Sequence, residues 1–298
     1  TFTNRMEPNV KADEDYNSDA NCAKILAEQN NFNHKEVVIT PEAFIDKWDD
    51  SIYYMEQPVY NPSMSMYCYT NKFLADNDII VTLAGDMGDE VLGGYPKYWK
   101  LRQKNVNTWQ GLVEAWMNRI KRPITVTKHP ISRTELAEYL IKNLPEELYN
   151  PKDPVNSYMA LDCVTQVPEE FFIRNDTYGM AFSMEGRFPL ATKKFMKYAL
   201  SIPSKEKIGR NKSDTKMMSK KAYAEIFPTE IVNKHKTGWT APVKGWIQDQ
   251  AVAKDFYQKR ITQNDCLKDI VIRSNETTKA AIPAWIMREW ANKFDMIF

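Results

Sequence analysis

The densest group of chemistry-bearing side chains lies in Gly85-Asp86-Met87-Gly88-Asp89-Glu90-Val91-Leu92-Gly93-Gly94-Tyr95, where three carboxylates fall within five residues. Such a cluster repels itself unless a cation or a positively charged substrate neutralises it. Mg²⁺ suits the place, because it takes one or two protein carboxylates and completes its shell with phosphate oxygens and water. Gly85, Gly88, Gly93 and Gly94 would let a ligand approach the backbone closely. The plainer alternative is a solvated acidic turn that caps a helix, with Glu90 as an acid of the first turn. Elsewhere the reactive residue types are scattered. Cys22, Cys68, Cys163 and Cys266 form no CxxC pair, and His34, His129 and His235 form no cluster. Free thiols in a reducing compartment are therefore expected, and a zinc or haem site is not.

The elements that must hold this turn can be read around it. Ile79-Ile80-Val81-Thr82-Leu83-Ala84 runs directly into Gly85. A continuous apolar run ending at glycine predicts a parallel strand buried on both faces. Ligands of open parallel sheets sit beyond the carboxyl ends of such strands, where the acidic turn falls. Upstream, Thr1-Phe2-Thr3 reads as the start of a strand, residues 13–33 as a helix and residues 34–40 as a second strand. Thr40-Pro41-Glu42 reads as a helix start with proline at its first position, and residues 63–76 as a helix rich in Met and Tyr. This alternation predicts an α/β part with a parallel sheet and crossover helices over residues 1–100. From about residue 97 onward, prolines (Pro123, Pro130, Pro145, Pro151, Pro154) separate helical segments, so residues 101–298 read as mainly helical.

Composition narrows the partners. Forty Lys and Arg against 39 Asp and Glu leave a net charge of +1 over 298 residues. That balance supplies no positive field for a phosphate backbone, and nucleic acid is not an expected partner. Hydrophobic residues make up 43%, enough for a sizeable core rather than disorder. The apolar run at 79–84 is far short of the ~20 residues that span a bilayer, so no membrane association and a cytoplasmic location are expected.

The string from Leu83 to Tyr95 resembles the L-S-G-D/E-G-A/G-D-E-L/V-F/L-G-G-Y motif in the synthetase domain of glutamine-hydrolysing asparagine synthetases, members of the PP-loop ATP pyrophosphatase superfamily. Three further blocks follow in the family's order. The segment from Arg174 to Pro189 is similar to R-x-D-x-x-M/S-M-x-x-S-L/V-E-x-R-x-P. Thr215-Lys216-Met217-Met218 is similar to T-K-x-L/M, and Lys234 to Trp246 to K-x-G-F/W-x-x-P-x-x-x-W. Residues 1–40 fit the family's second strand, helix and third strand, and residues 285–294 its closing aromatic helix.

The resemblance implies a PP-loop parallel sheet with flanking helices followed by a mostly helical part. It implies a ligase that adenylates the aspartate side chain with ATP and lets ammonia, derived from glutamine, displace AMP to give asparagine. ATP, aspartate and ammonia are the small-molecule partners it implies, Mg²⁺ the metal, and a homodimer an assembly it allows. By motif position Asp89 would hold Mg²⁺, Asp86 would contact the substrate and adenylate, Lys216 would neutralise the leaving pyrophosphate, and Gly85 would lie against the nucleotide. Glu90 would shape the same pocket. Arg174, Asp176, Glu185 and Arg187 match a charged block beneath the site, with Glu185 and Arg187 expected as a partly buried pair because buried charges pair. Lys234, Lys236 and Gly238 would form a loop near the phosphates, and Trp239 and Trp246 are expected in the core.

Departures are local. Ala84 replaces the motif's Ser and Met87 its Gly; Leu190-Ala191-Thr192 replaces F-L-D, and Met218-Ser219-Lys220-Lys221 replaces L-R-E-A. They leave open a relative that adenylates a different carboxylate, such as a β-lactam-forming synthetase or a surface-sugar amidotransferase. A non-catalytic remnant is the reading from another class. The family's phosphate loop, S-G-G-x-D-S, and its glutaminase domain have no counterpart in the sequence, since no glycine precedes Gly85. The expectation is a synthetase-domain fragment that is inactive alone.

Overall fold

The computed structural model describes residues 1–7, 13–58, 61, 63–118, 132–234, 237, 241–242, 246, 255–256 and 278–296, with backbone alone for 13–15 and 278–285. Strand β1 (Phe2–Met6), helix α1 (Asp13–Gln29) and strand β2 (Lys35–Ile39) form a βαβ unit. The strands pair in parallel from Phe2 opposite Lys35 to Met6 opposite Ile39. Parallel neighbours cannot be joined by a hairpin, and α1 supplies the crossover. Asn17 ties the helix to the strand end: its Oδ1 accepts from the Met6 amide at 2.8 Å and its Nδ2 donates to the Met6 carbonyl at 2.9 Å.

Three helices cover this unit: α2 (Pro41–Asp46), α3 (Trp48–Met55) and α4 (Met64–Ala75). The start of α2 is built as its residues dictate, with Pro41 first and the Thr40 hydroxyl accepting from the Ala43 amide at 3.1 Å. Val37 and Ile39 are buried against Phe44, Trp48 and Met66, and Trp246 joins the same core from far along the chain.

The second strand pair differs from expectation. β3 (Val81–Leu83) pairs in parallel with β4 (Glu185–Arg187), so the described residues hold two two-stranded sheets rather than one continuous sheet. The 79–84 run is not buried on both faces, with Ile80 69% and Leu83 72% exposed. Apolar length records what a segment can bury, whereas burial depends on its neighbours. Here the paired strand has three residues and sets Glu185 and Arg187 opposite Val81 and Leu83. Those two charges do form a pair, Nε to Oε1 at 2.9 Å, but with side chains 59% and 57% exposed rather than partly buried. Two residues apart on a strand they share one face, and here that face is wet.

Between β3 and β4 the chain is helical: α5 (Gly88–Leu92), α6 (Pro96–Arg102), α7 (Trp109–Met117), α8 (Arg133–Asn143), α9 (Pro154–Val164) and, after a π-helical turn over Val167–Phe172, α10 (Ile173–Met180). After β4 come α11 (Lys193–Ser201), α12 (Ser204–Lys207), α13 (Met217–Tyr223), α14 (Thr229–Val232) and a closing helix at Thr278–Lys293. Helix α9 runs through the second core, where Val155, Tyr158, Met159 and Leu161 meet Tyr98, Leu112 and Val113. Cys68 and Cys163 are buried free thiols and Cys22 is a partly exposed one; Cys266, His129 and His235 lie outside the described residues.

A charge is buried against that core. Asp162 is fully buried and accepts from Tyr98 Oη at 2.8 Å and Trp116 Nε1 at 2.9 Å, while Lys97 Nζ sits 2.7 Å from its Oδ2. Removing one partner of a buried pair strands the other, which typically costs about 3–5 kcal/mol. Asp162→Ala is therefore expected to lower unfolding free energy by about 3 kcal/mol or more, read by urea denaturation; a loss below about 1 kcal/mol would show that this network is not what holds α6, α7 and α9 together.

Candidate functional site

A cavity of about 710 Å³ lies between the two sheets, with Phe2, Thr3 and Asn4 of β1 on one side and Thr82, Leu83 and Ala84 on the other. The acidic turn borders it at the carboxyl end of β3, where ligands of parallel sheets sit. The turn is closed by short backbone bonds, from the Gly88 amide to the Gly85 carbonyl at 3.3 Å and from the Gly94 amide to the Asp89 carbonyl at 2.7 Å. Met87, where the motif carries glycine, adopts a left-handed φ of 77°. That region costs a residue with a side chain about 1–2 kcal/mol. Burial offsets the cost: Met87 is 1% exposed among Val91, Cys163, Val167 and Ala199, so the side chain anchors the turn into the core.

Sequence-distant charges meet here. Lys216 Nζ lies 2.6 Å from Asp89 Oδ1, with side chains 36% and 14% exposed. Lys216 precedes α13 in the left-handed region, φ 51°, and its amide donates to the Gly93 carbonyl at 3.4 Å. Gly94 gives the pair its room. A Cβ there would overlap the Asp89 carboxylate and stand 2.7 Å from Lys216 Cε.

Asp86 is half-buried, and Asn175 Nδ2 donates to its Oδ1 at 3.2 Å. Burial pushes its pKa up, and the nearby Arg174 guanidinium pulls against that rise. Arg174 is itself held, with Nη1 donating to Glu170 Oε1 at 3.2 Å, Nη2 to Tyr67 Oη at 3.1 Å, and its guanidinium carbon 4.5 Å from the Tyr67 ring centroid. Glu90 is buried; burial raises its pKa and a hydrogen bond from Tyr95 draws it back. The turn thus carries one carboxylate paired with lysine, one steered by Arg174 and Asn175, and one buried beside Tyr95.

Gly85 is exposed and borders the same cavity. Lys234 pairs with Asp19 at 2.6 Å, and the Thr237 hydroxyl donates to the same carboxylate at 3.0 Å. Asp19 borders both the main cavity and a second one of about 470 Å³ that Lys216 also lines. Asp176 is exposed, Trp246 is a core residue as its type suggests, and Lys236, Gly238 and Trp239 lie outside the described residues. Sequence reasoning missed Glu170 and Tyr67 as cavity residues. Glu170 had a signal, its position four residues before Arg174, where helical side chains meet; Tyr67 had none.

Among the described residues no group of three or more His, Cys, Asp or Glu is arranged to hold a metal ion. Any Mg²⁺ at this turn would rest on Asp89, one further carboxylate at most and oxygens of a substrate, a donor set that this ion accepts.

The electrostatics of the turn can be read directly. The carboxyl carbon of Asp86, followed by NMR, is expected to titrate above the ordinary 3.8, and Arg174→Gln should move the midpoint higher still, because the guanidinium favours the ionised form. A midpoint at or below the ordinary value, or a downward move in the variant, would refute this picture of the site.

With the geometry in view, comparison with known proteins gives a consistent answer. The sequence profile of the family described as Asparagine synthase matches residues 1–290. Asparagine synthetase (glutamine-hydrolyzing) 1 of Bacillus subtilis is 21% identical over 291 residues, which cover 86% of this chain and 46% of the relative. A putative asparagine synthetase (glutamine-hydrolyzing) of Mycobacterium tuberculosis is 21% identical over 264 residues, 78% of this chain and 40% of the relative. Asparagine synthetase (glutamine-hydrolyzing) 3 of Bacillus subtilis is 23% identical over 258 residues, 80% and 40%. The chain spans less than half the length of these curated relatives. With the match running through nearly all of its residues, the chain belongs to the asparagine synthase family.

Proposed function

We propose that this chain is the synthetase part of an ATP-dependent, amide-forming ligase that adenylates the side-chain carboxylate of aspartate. A carboxylate oxygen attacks the α-phosphorus of ATP, the bond to pyrophosphate breaks, and an acyl-adenylate forms. The lone pair of ammonia then attacks the acyl carbon, the bond to AMP breaks, and a proton is lost to give the amide. Asp86 contacts the substrate and adenylate, while Glu90 lines the same pocket. Lys216 meets the charge that grows on the departing pyrophosphate, an effect worth most where it is preorganised and partly desolvated. Asp89, with substrate oxygens, would hold Mg²⁺, whose charge would stabilise the phosphates when bound.

The observation that carries this reading is the meeting of Asp89 and Lys216 at 2.6 Å beside a cavity at the end of a parallel strand. Support also comes from the space between the sheets. β1 pairs with β2 and β3 with β4, and the cavity separates β1 from β3. A further parallel strand, spaced about 4.8 Å from a neighbour, would enter this gap and bring a phosphate-binding loop to the same end as the acidic turn. Ammonia would come from a glutamine-hydrolysing segment outside this chain.

The test is carboxylate-dependent release of pyrophosphate and AMP. This chain alone is expected to release neither. A protein that carries a strand and phosphate loop ahead of Thr1 should release both on addition of aspartate and ammonia. In that protein Lys216→Ala is expected to lower kcat by about 100-fold or more, the cost of losing one preorganised charge partner. Turnover by this chain alone would remove the need for the added strand, and a preference for another acid would replace aspartate as the substrate.

A further inference from the structure

Lys207, the last residue of α12, is fully buried, an unusual place for a lysine without a carboxylate partner. Among the described residues its side chain makes one hydrogen bond, from Nζ to the neutral amide of Asn156 at Oδ1, 2.7 Å away. The carboxylate whose charge reaches it, Asp153, is already engaged. Its Oδ1 accepts from the Asn156 amide at 3.0 Å and its Oδ2 from the Ser204 amide at 2.8 Å. Asn156 Nδ2 in turn donates to the Leu200 carbonyl. The start of α9 therefore holds the end of α11 and both ends of α12.

The chain beyond Lys207 leads to Lys216. Residues Gly209 to Asp214 form a loop closed at its neck, where the Gly209 amide donates to the Asp214 carbonyl at 2.8 Å. The segments on either side of the neck are thereby brought together. Both also meet Gly93: a Cβ there would stand 2.8 Å from Ile208 Cγ1, and the Lys216 amide donates to the Gly93 carbonyl at 3.4 Å. Arg102 Nη1 braces the neck from α6, donating to the carbonyls of Ile208 at 3.0 Å and Gly209 at 2.9 Å. The buried amine anchors one end of this assembly, and the Lys216–Asp89 contact stands at the other.

We infer that Lys207 is a positioning residue for Lys216: docked on Asn156, its amine holds the neck of the 209–214 loop and so keeps Lys216 on Asp89. The inference rests on the reading of Lys216 as a residue of the site and adds what holds it there. The hold depends on protonation. An ammonium brings a charge and three donors to a place that offers one neutral acceptor, so the neutral amine fits better. Burial accordingly pulls the Lys207 pKa down from the ordinary 10.5 to about 8, against the pull of Asp153. Cys163 also faces the amine from α9, and its thiol, pushed up to about 12 by burial, stays neutral through this range. On the neighbouring elements, Arg102 is always charged, the lysines of α11 and Lys205 and Glu206 of α12 are exposed, and Lys220 of α13 borders the second cavity. The acids of α5 are taken by Lys216 and Tyr95. A base with a lowered pKa binds more protons once the neck opens. The hold is therefore weakest below about 8 and strengthens as pH rises toward 10.5.

The test is amide hydrogen exchange of this chain, read residue by residue by NMR as protection over an unstructured amide. Two amides report the two sides: Gly209 in the neck, and Lys220, which donates to the Lys216 carbonyl at 2.8 Å. Their protection is expected to rise together by about tenfold from pH 7 to pH 9. Lys207→Met should erase the rise at both and leave the amides of β1 and β2 unchanged. In the wild type, Lys207 Cε should titrate with the same midpoint as the protection, so the wild-type chain decides even where the variant fails to fold. A flat profile, a rise at Gly209 that Lys220 does not share, a Lys207 midpoint near 10.5, or a rise that persists in folded Lys207→Met overturns the inference. No nucleotide enters this experiment, so the two proposals fail separately. An extended protein that releases no pyrophosphate would discard the ligase reading and leave the role of Lys207 standing. Release together with a flat exchange profile would do the reverse.

Discussion

The Asp89–Lys216 contact is the constraint around which the site is arranged. A carboxylate only 14% exposed cannot stand alone at little cost, and the ammonium that meets it comes from a helix start far along the chain. Bringing the two together places demands on the backbone that the sequence meets at specific positions. Gly94 has no side chain because a Cβ would occupy the space of the pair, and Lys216 sits in the left-handed region with its amide on the Gly93 carbonyl. Met87 holds the other end of the turn down by burying its side chain at the expense of a left-handed φ. Non-glycine residues held in that region at a site indicate a geometry fixed by its surroundings.

A relay of polar contacts connects this site to the second core. Asp162 binds Lys97, whose Nζ also donates to Gln166 Oε1 at 3.3 Å. Gln166 Nε2 donates to Glu170 Oε2 at 2.9 Å, and Glu170 accepts from Arg174, the guanidinium that steers Asp86. The relay passes through the π-helical turn at Val167–Phe172, a feature often found at functional sites. Arg174 thus takes its position from a buried network as well as from its own helix. A positioned cation costs no reorganisation when charge develops nearby.

Much of this was legible before the fold. The Thr40-Pro41 helix start, the Met- and Tyr-rich helix and the turn after a short strand all follow from local residue types, and local rules govern them. Asp86 and Asp89 were recognisable in one motif and Lys216 in another, and the fold joins Asp89 to Lys216. What was not legible depends on distance along the chain. The apolar run at 79–84 looked like a strand buried on both faces, but its described partner is a short strand bearing Glu185 and Arg187, so much of the run is exposed. Asp162 and Lys97 carry no spacing signature, since a buried pair 65 positions apart looks in sequence like two surface charges. The burial of Lys207 is a property of packing alone.

The central claim is that Asp89 and Lys216 act together on the pyrophosphate end of a nucleotide. It is tested most directly by titrating inorganic pyrophosphate with Mg²⁺ into this chain, its Asp89→Asn and Lys216→Met variants and the double variant. The account predicts binding by the wild type, a loss of about tenfold or more in each single variant, and a double variant less impaired than the two losses combined, as interacting residues give. Equal binding by wild type and Lys216→Met, strictly additive losses, or no binding at all would contradict it.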